Sequence, residues 1–64
     1  MKLKYDKETD ILYIVLRDLP IEESDEDKKG VILDYAISGE LVGIEILNAS
    51  QVTDKPSKIE YEFA

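Results

Sequence analysis

Apolar side chains recur at every second position of this chain, in short runs cut apart by polar turns. That period belongs to an extended backbone, whose successive side chains point to opposite faces. The helical spacing of three and four residues never persists beyond about ten positions. The pattern therefore predicts a mainly β fold, a small antiparallel sheet of four to five strands in meander-like hairpins, with one short helical turn near residues 48–54.

The runs place the strands. Lys2 to Asp6 sets Leu3 and Tyr5 against Lys2, Lys4 and Asp6, as an edge strand with one wet side does. The polar connection Lys7-Glu8-Thr9-Asp10 is a hairpin signal, and Ile11 to Leu16 beyond it is apolar on both faces, so it reads as a central strand covered on both sides. Gly30 to Ala36 and Leu41 to Leu47 read as a third and a fourth strand, with Ser38-Gly39 turning one into the other. Lys58 to Phe63 alternates again, Ile59, Tyr61 and Phe63 against Lys58, Glu60 and Glu62, and reads as a half-exposed fifth strand. Between the second and third strands, Arg17 to Lys29 holds Pro20 and the acidic run Glu22 to Asp27, whose mutual repulsion predicts an exposed, mobile loop.

Length decides how such a sheet can be stable. A chain of 64 residues is a single domain. It buries only about 60% of its unfolded surface, and one core of this size supplies about 3–5 kcal/mol. Disulfides are closed to a chain with no Cys, and metal sites are poor without His. Association of copies is the remaining route, so a homodimer is expected. The net charge of −7 opposes phosphate backbones and anionic lipid surfaces. No nucleic-acid or membrane partner is therefore expected, while a basic protein partner fits the charge. The apolar run Ile11 to Leu16 is far short of the roughly 20 residues that span a bilayer. The cysteine-free composition and the polar start, with no signal-like apolar run, point to the cytoplasm.

Tyr5-Asp6, Asp10-Ile11-Leu12-Tyr13-Ile14, Leu33-Asp34-Tyr35 with Gly39, Val42-Gly43-Ile44-Glu45-Ile46-Leu47 and Ala49-Ser50 together resemble the family known as domain of unknown function 2283. The likeness covers residues 5–50. It implies a small antiparallel β fold from the prokaryotic cytosol with no established activity; some members look like companions of toxin–antitoxin systems, which would make this chain an acidic, antitoxin-like partner. Two departures stand out. The family has a further acidic residue near Ala36, and it commonly ends in a helix where this chain has Pro56 and a strand-like tail.

Without His or Cys, acid–base or nucleophilic chemistry falls to carboxylates, Lys, Tyr, Ser and Thr. No catalytic residue, cofactor or metal is expected. The acidic run offers hard oxygen ligands, but a calcium loop begun at Asp25 puts Lys29 and Ala36 where ligands belong, so it reads as solvated. Asp6 and Asp10 are read as fixing the first turn through backbone N–H groups, and Gly39 as fixing the later one. Asp34 lies mid-strand among apolar neighbours and must reach solvent or pair with a cation. Glu45, between two isoleucines, needs a donor, because an unpaired buried carboxylate costs several kcal/mol. Arg17 is the only guanidinium in the chain, so a bridge from Arg17 to Glu45 or Asp34, within or between subunits, is the specific expectation.

The functional expectation is a non-enzymatic, homo-oligomeric interaction module. Its self-association surface would draw on the face of Leu12, Ile14 and Leu16 or its opposite, together with Leu41, Gly43 and Leu47. The alternative is a small carboxylate-based or divalent-metal-dependent protein in which Asp34 and Glu45 work as a pair across neighbouring strands.

Overall fold

A computed structural model of the chain describes residues 1–64. Five antiparallel strands form one sheet: β1 (Lys2–Asp6), β2 (Ile11–Val15), β3 (Glu23–Lys28), β4 (Val31–Tyr35) and β5 (Leu41–Leu47), followed by a single helical turn, α1 (Ala49–Val52). The spatial order is β1-β2-β5-β4-β3. The first hairpin sets Lys2 opposite Val15 and Asp6 opposite Ile11. A second meander, β3-β4-β5, folds back so that its last strand zips onto β2, with Ile14 opposite Ile44 and Val15 opposite Gly43. The connection from Leu16 to Glu22 crosses the end of the sheet to reach the far edge. On the way the amides of Leu16 and Arg17 donate to the Val42 carbonyl, at 2.7 and 3.1 Å, and that of Glu22 to the Tyr35 carbonyl at 2.8 Å.

The mainly β architecture and the helical turn agree with the alternation, but the fifth strand is not the expected one. Residues 58–63 belong to no strand, with Tyr61 77% and Phe63 86% exposed. Alternation gave this segment a strand's two faces, yet within the chain it has no strand beside it. Conversely, Glu23–Lys28, expected as a mobile loop, is an edge strand paired along β4, with every one of its residues exposed. A charged edge strand keeps one side hydrogen-bonded and the other wet, and repels unwanted pairing with other edges.

The sheet is one layer thick. Opposed residues in an antiparallel pair share a face, so the register assigns every side chain. One face carries Leu3 and Tyr5 from β1, Leu12 and Ile14 from β2, Ile44 and Ile46 from β5, and Val31 and Leu33 from β4. The other mixes Lys2, Lys4, Tyr13, Glu45, Ile32, Asp34 and Ser24. Both sides of β2 are only half-buried, because no second layer lies over either. Buried positions are few: Ala36, Val42, Ala49, Gly43 and Asp34; no large side chain is fully buried.

Candidate functional site

The mixed face holds the one polar residue that the fold buries, Asp34, at 3% exposure. Register explains its place. Asp34 stands opposite Gly43, and Glu45 stands opposite Ile32, so the two acids are diagonal neighbours on adjacent strands. A Cβ on Gly43 would come within 2.8 Å of the Ile14 carbonyl oxygen, and Asp34 Oδ2 lies 3.8 Å from that same point. Glycine thus lets β2 and β5 approach and leaves open the space into which the Asp34 carboxyl turns.

The two carboxyls act on each other. Burial first, then the Asp34 carboxyl beside it, by hydrogen bonding and by charge, push the Glu45 carboxyl above its ordinary range. On its other side Asp34 accepts the Ser24 hydroxyl at 2.6 Å, from the strand that runs opposite it on β3. Tyr13 faces Glu45 from β2, and Lys4 from β1 lies over the Tyr13 ring, 5.8 Å from its centre. No buried polar side-chain atom is left unpaired.

This corrects the expected partners. Within the chain Asp34 neither reaches solvent nor meets a cation, and the neighbour that Glu45 meets across the strands is another acid. Arg17 instead pairs with Glu40 at 3.2 Å, an exposed contact at the end of the sheet where the crossing connection begins. Leu16 lies just beyond β2 and is exposed. Leu12 and Ile14 belong to the apolar face, while Gly43 and Leu47 lie on the opposite one, so the residues singled out for self-association divide between two faces. Leu41 pairs with Tyr35 across a bulge that leaves Val42 as the extra residue. The acidic run alternates about its strand: Ser24 and Glu26 share the mixed face, while Glu23 and Asp25 border the apolar one. Ser24 and Glu40 escaped the sequence reading altogether. The signal for Ser24 was the register opposite Asp34, visible only once β3 is a strand.

A second cluster ties the first turn to the helix. Asp6 Oδ1 accepts the amides of Glu8 at 3.0 Å and Thr9 at 3.4 Å, the local role read from sequence. Asp10, at φ 58°, does something longer in range. Its Oδ1 accepts the Tyr5 hydroxyl at 2.7 Å and the Ser50 amide at 3.0 Å, and its Oδ2 accepts the Ser50 hydroxyl at 2.7 Å. Asn48 at the start of α1 makes no side-chain cap, so Asp10 serves as the cap from across the fold. Hydrogen bonds from Tyr5 and Ser50 hold the Asp10 carboxyl below its usual value, and the same Asp10 bond, with burial, raises the Tyr5 phenol. The backbone bonds from Thr9 and Glu8 similarly lower Asp6.

Sheet and site together define a class: small, single-layer antiparallel β proteins whose buried polar chemistry is carboxyl-based. Within it, the model of a family described as protein of unknown function (DUF2283) matches residues 2–50, and the chain belongs to that family. Tyr5, Asp10, Ala49 and Ser50, which carry part of the likeness, are the residues that meet in the turn–helix cluster. Neither the curated proteins nor the solved structures hold a match to the chain. No helix is long and apolar enough to cross a membrane.

Proposed function

We propose that this chain is a non-enzymatic interaction module that assembles as a homodimer through its apolar sheet face. The observation that carries the reading is the uncovered face itself. Leu12, Ile14, Val31, Leu33, Ile44 and Ile46 form a continuous patch with no layer over it. Strands about 4.8 Å apart and about 3.3 Å per residue give the four strands that carry apolar residues on this face an area of roughly 300 Å². The largest apolar patch on a monomeric protein is of about this size, ~300–600 Å², and is often the place where it meets a partner. A second copy is the occupant whose face matches in size and chemistry. Two sheets facing each other at about 10 Å make a sandwich with a dry centre.

Sedimentation velocity of the purified chain tests this, with a dimer as the expected species at micromolar concentration. Leu33→Glu places a charge in the middle of the patch and is expected to return the protein to monomer, with a circular dichroism spectrum still dominated by strand. A wild-type chain that stays monomeric at high concentration would sink the reading.

A second reading, carboxylate chemistry, draws on the Asp34–Glu45 pair and the raised Glu45 carboxyl. Against it stands the near-complete burial of Asp34, and none of the clefts in the structure is lined by Asp34 or Glu45. Thermal melts with and without millimolar magnesium, calcium or manganese separate the two readings, because an ion that binds only the folded state must raise the melting temperature.

A further inference from the structure

The sheet has two open edges, the outer sides of β1 and β3, and the chain has one strand-patterned segment outside the sheet, residues 58–63. The β3 edge is acidic, with Glu23, Asp25, Glu26 and Asp27, and would repel Glu60 and Glu62. The β1 edge is their complement. Laid antiparallel along it with Lys58 opposite Asp6, the segment sets Glu60 against Lys4 and Glu62 against Lys2, three opposite-charge pairs on the mixed face. In the same register Ile59 meets Tyr5 and Tyr61 meets Leu3, which widens the apolar face by one strand. A slip by one residue would put each glutamate on the apolar side. Lys58 and Glu60 already lie on a common side, with their side chains 3.8 Å apart.

We propose that residues 58–63 of one copy add as a sixth strand to the β1 edge of a second copy. The proposal rests on the self-association above and supplies area that the sheet face alone lacks. Two faces of roughly 300 Å² fall short of the ~1,000 Å² expected of a specific interface, and each aromatic ring buried adds ~150–250 Å². The assignment to a second copy follows from the lone chain. Tyr5, Lys7 and Ser50 share an open cleft of about 540 Å³ with residues 54–58, so the tail starts beside the Asp6 end of its own β1. A hydrogen bond from the Lys58 amide to the Lys55 carbonyl, 3.0 Å, turns the chain there, and Ile59, Tyr61 and Phe63 run on exposed rather than along that edge.

The chain has no cysteine, so single introduced thiols report on their own. Full-length Lys4→Cys and Glu60→Cys chains, mixed and oxidised, are expected to form a mixed disulfide dimer at least about tenfold faster than Lys4→Cys with Tyr61→Cys, whose thiols fall on opposite faces. Lys4→Glu and Glu60→Lys are each expected to weaken self-association about three- to tenfold, and the chain carrying both to recover it. A dimer in which the two thiol pairings link equally, or a chain carrying both Lys4→Cys and Glu60→Cys that links only to itself, would overturn the exchange and leave the face-to-face reading intact. An unmodified chain that sediments as a monomer would overturn both.

Discussion

At Gly43 a single methyl group decides whether two strands can touch. Its Cβ would sit 2.8 Å from the Ile14 carbonyl oxygen, which is backbone and cannot swing aside. Gly43→Ala is therefore expected to cost about 1–3 kcal/mol, read as a lower urea midpoint with an unchanged slope. The acids nearby set the pH dependence. Glu45 titrates above its ordinary 4.5 in the folded chain, so the stability it contributes is fully present below that value and is lost as pH rises through the raised one. Asp6 and Asp10 run the other way: both are lowered from 3.8, so their contribution is present above that value and lost as pH falls through the folded values. Stability should climb out of strong acid and then decline toward neutrality. Glu45→Gln keeps a hydrogen-bond donor for Asp34 without the proton to lose, so thermal melts across that range are expected to decline less steeply than in the parent. An unchanged slope would mean that the pair does not govern it.

The elements show which parts of the fold alternation could reveal. It gave β1, β2, β4 and β5 nearly residue by residue, because half-buried strands write their period into the apolar residues. It missed β3, whose Glu-Ser-Asp-Glu-Asp-Lys sequence has no apolar residue to carry a period and is held by backbone pairing to β4 and by Ser24 on Asp34. It over-read residues 58–63, since a period shows two faces but not a neighbouring edge. The carboxyl pair was legible as two acids on adjacent strands, whereas the raised Glu45 carboxyl and the Ser24 partner of Asp34 depend on register and burial. Within the chain Arg17 meets Glu40 rather than Asp34 or Glu45; charge alone cannot show that the chain turns at the end of β2 toward Glu40. For α1, one turn is too short to persist by itself, and its capping acceptor comes from Asp10. Asp10→Ala is expected to speed amide exchange at Ser50, Gln51 and Thr53 while the amides pairing β4 with β5 stay protected. Uniform acceleration across the sheet would show that the cluster holds the whole fold rather than its end.

For the whole molecule, the uncovered apolar face and the charge of −7 pull against each other. Burial draws two copies together, and their charges push them apart over a distance set by the salt. The Debye length shrinks from about 30 Å at 0.01 M to about 8 Å at 0.15 M, so the repulsion between whole copies fades over that range while the apolar contact does not. The charge pairs proposed between the tail and β1 are exposed and individually worth little, about 0–1 kcal/mol, so they weaken less in total than the repulsion does. Self-association is therefore expected to tighten as salt rises, and the melting temperature to rise with protein concentration, because unfolding would then be coupled to dissociation. Sedimentation equilibrium at the two salt concentrations measures the first and calorimetry over a tenfold range of protein the second. Looser association in salt would place opposite charges, not the apolar sheet, at the centre of the contact, and a melting temperature indifferent to concentration would mean that one chain is stable with its apolar face in water.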